Sequence, residues 1–237
     1  MLNILIFIMM PLSILSICAQ IFEILPSKIF LDFDENERIF VMPYIMKNSN
    51  YCIACLGFLL AFFVAMSTQF CCLSSHFSLQ IVQNIIISIL LGHIFISDFL
   101  FQIIPSEHLL LLLIANLGNF SMASLVGGLL GFLPFFSLSL LFYLLLGTLP
   151  VGFGDIKLLS VLGMLAGPTA ILAVQVLACT LSGIFCAAIV LSNSLHKMKK
   201  DKADITLYGF VPLAPFIIFA FGIIVGLMPK AYLYNIF

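Results

Sequence analysis

Residues 122–147 read MASLVGGLLGFLPFFSLSLLFYLLLG, 26 consecutive positions without a charged side chain. A helix needs about 20 mostly apolar residues to cross the roughly 30 Å hydrocarbon core of a bilayer, so this stretch is long enough to cross alone. The rest of the chain has the same character. Of its 237 residues, 63% are hydrophobic and 8% charged, against about 25% charged in an ordinary soluble domain. Too few charges remain to cover a water-exposed surface. Phe is abundant at 25, Trp is absent, and a formal net charge of −1 leaves no basic face for nucleic acid. The composition implies an integral membrane protein.

The same length rule gives crossings near 1–25, 51–70, 79–97 and 103–120, an apolar tract from 156 to 192, and a last span near 206–228. The tract is too long for one crossing and is interrupted at Gly167-Pro168, so it divides into a short helix and a full one. The expectation is an all-α, polytopic transmembrane bundle of eight spans with no soluble domain. Residues 1–50 supply the first span and a short loop, and residues 51–237 the functional unit. A cleaved signal peptide competes for the N-terminus. MLNILIFIMMPLSILSICAQ has no basic leading region, however, and IFEILPS offers no clear small-residue cleavage site, so a retained span is expected.

Basic residues accumulate on the cytoplasmic side of membrane proteins. With eight spans, the loops 26–50, 98–102, 148–156 and 193–205 share one side and hold, at or next to them, Lys28, Arg38, Lys47, Lys157, Lys197, Lys199, Lys200 and Lys202. The opposite loops and the C-terminal tail hold only Lys230, so eight of the nine basic residues fall on one side. Both termini are then expected outside. The acidic run Asp32, Asp34, Glu35 and Glu37 reads as a solvated loop. Cys52, Cys55, Cys71 and Cys72 have the look of two half zinc sites, but they bracket an apolar run. Zinc ribbons use polar loops, and the seven cysteines, with Cys18, Cys179 and Cys186, read as small buried hydrophobes. No metal or cofactor is expected.

Ionisable groups at bilayer depth are costly and mark function. Once the loops are set aside, Glu23, Asp98, Glu107 and Asp155 remain. The loop parity puts Asp98 and Asp155 at the same, cytoplasmic ends of their spans. Two carboxylates brought together in a partly desolvated site share a proton, one acting as base and the other as acid. A water between them can then attack a peptide carbonyl, and the pair titrates as a unit. Gly152 and Gly154, just ahead of Asp155, would let a substrate backbone approach and permit unusual φ/ψ. Lys157 would either tune the acids or anchor its helix at the interface by snorkelling. Taken singly, each acid also fits a structural role at a span end.

These stretches resemble the type IV prepilin peptidase family, membrane aspartyl proteases of the Gly-x-Gly-Asp type. SDFLFQIIP matches a first motif, an Asp followed seven residues later by Pro, here Asp98 and Pro105. GFGDIKLLSVLGMLAG matches the second, with Asp155 in the catalytic place and Gly152, Gly154, Lys157 and Leu158 in theirs. FVPLAPF, 210–216, resembles a proline-rich motif opening the last span, so the likeness runs over roughly residues 80–225. It implies a bacterial inner-membrane endopeptidase that removes a short basic leader from type IV prepilin or pseudopilin-like precursors at the cytoplasmic face. Ser106 stands where the family often has an acid, with Glu107 one step on. Larger members carry a cytoplasmic domain with two Cys-x-x-Cys pairs, associated with N-methylation of the product. The 26–50 loop has no cysteine, so the resemblance extends to cleavage and not to methylation.

Other readings compete. Presenilin and signal-peptide-peptidase proteases also use Gly-x-Gly-Asp, but pair it with Tyr-Asp and Pro-Ala-Leu where this chain has Ser97-Asp98 and Pro212-Leu213-Ala214. A Ser/Lys peptidase built on Ser160 and Lys157 would need a periplasmic domain. A transporter with Asp98 and Asp155 as proton or cation ligands fits the Gly/Pro-broken spans, but its acids would have to serve both faces. An inactive scaffold of a secretion machine is a further reading. The sequence does not indicate which precursor is cut or the oligomeric state.

Overall fold

The computed structural model describes residues 79–117, 120–197 and 212–227. Within them the chain forms helices α1 (Leu79–Phe101), α2 (Ser106–Asn116), α3 (Met122–Leu146), α4 (Phe153–Ala166), α5 (Pro168–Lys197) and α6 (Ala214–Leu227). The spans expected at 1–25 and 51–70, the acidic run and the cysteines from Cys18 to Cys72 lie outside the described residues.

Three helices contain stretches long and apolar enough to cross a membrane, at Val82–Phe99, Met122–Leu146 and Pro168–Ala188. Of the other three, α4 is the short helix expected from the division of the 156–192 tract, whereas α2 is shorter than the 103–120 stretch and α6 begins at Ala214 rather than near 206. At 1.5 Å per residue, α2 with 11 residues and α4 and α6 with 14 each are about 17 to 21 Å long, short of the roughly 30 Å of hydrocarbon. The expected count of eight spans, one of them a short helix, is not confirmed among the described residues, which form six helices. Apolar composition continues past the points where these helices stop.

Local chemistry sets the helix ends. Ser121 caps α3 by accepting from the Ser124 N–H, and Gly147 closes it in the left-handed region at φ 70°, its N–H donating to the Tyr143 carbonyl. Gly167, at φ 84°, ends α4, and Pro168 opens α5 directly after it, the order in which glycine stops a helix and proline starts one. The division expected at Gly167-Pro168 is thus observed.

The interior is built from one face of each helix, including Leu91, Ile94 and Phe95 of α1, Leu112 of α2, Leu158 and Leu162 of α4, Ile171 of α5 and Ile217 of α6. Helix α3 contributes differently. Its large side chains mostly face outward, and it packs on α4 through Gly127, Gly128 and Gly131. A Cβ on Gly127 would collide with the Gly163 carbonyl, and one on Gly131 with the Leu159 carbonyl. These pairs run in opposite chain directions, so α3 and α4 are antiparallel with their backbones in contact. Small residues that bring backbones together drive helix pairing where lipid supplies no hydrophobic force. Cys179 and Cys186 of α5 are exposed and half-buried, so these two are not core residues as expected from their apolar setting.

Amide side chains tie the helices together. Asn116 Nδ2 donates to the Met164 carbonyl at 3.1 Å, Gln83 Nε2 to the Ala115 carbonyl at 2.8 Å, and Ser160 Oγ to the Gly128 carbonyl at 3.2 Å. Gln175 of α5 has a particular task. Pro134 lies inside α3 and has no N–H, so the carbonyl four residues earlier, that of Leu130, loses its helical donor. Gln175 Nε2 supplies one, reaching the Leu130 oxygen at 3.0 Å and the Gly131 oxygen at 3.1 Å. Gln175→Leu is expected to lower the thermal stability of the solubilised protein, by about 1–3 kcal/mol for an orphaned buried carbonyl. Adding Pro134→Ala, which restores the donor within α3, recovers most of the loss in a double-mutant cycle.

Candidate active site

Asp98 lies on α1 three residues before its end, inside the helix rather than in the short loop expected at 98–102. It is 6% exposed. The turn after it is tightly specified. Gln102 takes a left-handed conformation at φ 57°, and its N–H donates to the Asp98 carbonyl at 2.9 Å, an αL helix stop made without glycine. Ser97 Oγ donates to the Ile103 carbonyl at 2.8 Å. Pro105 then caps α2, its φ of −65° set by its ring. The seven-residue step from Asp98 to Pro105 is therefore the distance needed to stop one helix, reverse, and start the next.

That reversal delivers Ile104 to the second half of the site. A Cβ on Gly154 would lie 3.2 Å from the Ile104 Cβ, so the glycine lets α4 approach the α1–α2 connection closely. Gly152 is the N-cap of α4 at φ −63° and ψ 140°, and its carbonyl accepts from the Asp155 N–H at 3.1 Å. Any residue adopts those angles. The glycines ahead of Asp155 therefore provide room, not the unusual backbone expected of them. Among the described residues the one neighbour within 4 Å of a Cβ built on Gly152 is Asp155 Oδ2, at 3.2 Å, so these residues leave space beside the carboxyl.

Asp155 is in the first turn of α4. Its carboxyl is close enough to that of Asp98 for their charges to interact, although the two residues are 57 positions apart in the chain. Asp98 Oδ2 accepts the Ala214 N–H at the start of α6 at 3.1 Å, whereas Asp155 Oδ1 is buried with no hydrogen-bond partner. Lys157 points elsewhere. It is exposed, with its ammonium over the Phe153 ring, 5.1 Å from the centroid, within the range of a cation–π contact. Two largely desolvated carboxyls whose charges interact can share a proton between them.

Most of α1, all of α2 to α4 and most of α5 fall within a match to a family model, over residues 85–188. The family is the type IV leader peptidase family. The matched region takes in Asp98, Pro105, Gly152, Gly154, Asp155 and Lys157, and stops short of α6 and the 210–216 motif. No curated protein and no solved structure matches the chain.

Some residues that shape the site carry little signal in sequence. Ile104 is one apolar residue among many, and the Ala214 contact uses only backbone. The α3 glycines do have a signal, since Gly127 and Gly131 form a Gly-x-x-x-Gly spacing. His93 and His108 are both buried and pair across α1 and α2, Nδ1 to Nε2 at 3.1 Å with rings inclined by 12°.

Proposed function

We propose that this protein is an intramembrane aspartyl endopeptidase that removes the short basic leader from type IV prepilin-like precursors at the cytoplasmic membrane face. The observation that carries the reading is the meeting of Asp98 and Asp155, from different helices, in a buried setting with open space beside one carboxyl. Such a pair activates water without a metal or a covalent intermediate. The match of residues 85–188 to a leader peptidase family supports the same chemistry. Lys157, exposed and over an aromatic ring, acts as an interfacial anchor rather than a partner of the acids. The concentration of basic residues beside one set of loops supports the cytoplasmic orientation.

The test is reconstitution of the purified chain in liposomes with a precursor bearing a basic leader and an apolar helix. Intact-mass measurement is expected to show loss of the leader and an unmethylated new N-terminus. An uncut precursor would return the two acids to the transporter reading. Gly152→Val separates room from fold. Its side chain occupies the space next to Asp155 Oδ2, so kcat/KM is expected to fall about 10- to 100-fold. Melting should fall by no more than about 1 kcal/mol, the typical loss for an unfavourable N-cap residue.

A further inference from the structure

The two carboxyls are not equivalent, and the difference originates in α6. Its opening, Pro212-Leu213-Ala214-Pro215, is unusual for the supply of backbone donors. Pro215 has no N–H, and the Phe216 and Ile217 N–H groups both donate to the Leu213 carbonyl at 3.1 Å. In this first turn the Ala214 N–H is the one that reaches Asp98 Oδ2. A donor at a helix N-terminus favours negative charge on its acceptor. Asp155 also lies in a first helical turn, but its buried Oδ1 takes no N–H. A buried carboxylate oxygen without a donor is the costlier one to leave charged.

We infer that the α6 opening, through the Ala214 N–H, fixes Asp98 as the ionised general base and leaves Asp155 as the member that holds the proton. Of the described helices packed against α1, α6 has no ionisable side chain, and α2 has the exposed Glu107 and His108, which pairs with His93. Facing Asp98 from α4 is Asp155 itself. The chemical roles rest on the protease reading, whereas the proton placement rests on the hydrogen bonds alone. In the first step Asp98 takes a proton from water as the water oxygen bonds to the scissile carbonyl carbon. Asp155 gives its proton to the carbonyl oxygen, leaving a neutral gem-diol. In the second step one gem-diol hydroxyl returns its proton to Asp155, Asp98 gives its proton to the departing nitrogen, and the C–N bond breaks. Both carboxyls end as they began.

Ala214→Pro deletes the donor at a helix position where proline is tolerated. Proteoliposomes of this variant are expected to show kcat reduced about tenfold with KM unchanged. The acid-side limb of the pH–rate profile should move to higher pH by about one unit, the size of a hydrogen bond to a charged group. A move of the alkaline limb instead, or an unaltered profile, overturns the assignment. Ala214 is fully buried, so a second measurement uses the unsubstituted chain. An epoxide is opened by an ionised carboxylate oxygen as its C–O bond breaks and the alkoxide takes a proton from solvent. A diazo ester is protonated at carbon by a carboxylic acid, loses dinitrogen and esterifies the resulting carboxylate. Peptide mapping is expected to place the epoxide on Asp98 and the diazo ester on Asp155, and the reverse pattern overturns the assignment. Should the unsubstituted chain cut no precursor, the protease reading fails, yet the labelling still decides which acid carries the proton.

Discussion

Asp155→Asn is expected to leave the protein folded while reducing precursor cleavage by about 10²- to 10⁴-fold or more, the range for loss of a general acid or base. The substitution keeps the shape of the side chain and removes its capacity to exchange a proton with the substrate. Asp98→Asn is expected to have the same effect. The Ala214 N–H that reaches Asp98 Oδ2 can still be accepted by the asparagine's amide oxygen, so the start of α6 keeps its contact. Precursor accumulation reads the activity, and thermal melting of the purified variants shows that the fold is intact. Retained processing in either variant removes that residue from the mechanism.

Gly163→Leu is expected to have an equally large effect by a different route. A Cβ there meets the Gly127 carbonyl, and backbone atoms in two paired helices have no rotamer by which to yield. Overpacking of a close interface costs typically about 1–3 kcal/mol, and a leucine adds a further three carbons to the clash. Because α4 carries Asp155, parting α3 from α4 also moves the carboxyl away from Asp98. Loss of both melting temperature and cleavage is expected, measured together on the same preparation. Gly183 provides the control, since among the described residues a Cβ there meets nothing within 4 Å. Gly183→Ala should be neutral or stabilise the helix, by up to about 1 kcal/mol.

Much of this is legible in the sequence, for reasons that can be named. In a chain with 8% charged residues, an acid within an apolar run stands out, and Asp98 and Asp155 are visible on that ground alone. Gly167-Pro168 is visible because glycine and proline act locally on φ. The early end of α2 and the late start of α6 are not visible, because apolar composition reports the solvent around a segment and not where its hydrogen-bond ladder stops. The tie from Gln175 to the Leu130 carbonyl requires knowing that α3 and α5 are neighbours, although the missing donor at Pro134 could be anticipated. The role of Ala214 is hidden more deeply, since the atom that acts is common to nearly every residue type. Its neighbour Pro215 is the only hint, through the donor it withholds.

The antiparallel pairing of α3 and α4 has a consequence for depth. Gly163 faces Gly127 and Leu159 faces Gly131, and the same spacing brings Asp155 level with about Phe135. Helix α3 continues to Leu146, roughly 16 Å beyond that level at 1.5 Å per residue. Helix α3 therefore rises well past the acid on one side, with its outer turns exposed, and the 147–152 segment returns the chain to the level of Asp155. On the protease reading, a precursor would have to bring its scissile bond down alongside those outer turns, so the reach of its chain would matter as well as the residues beside the bond.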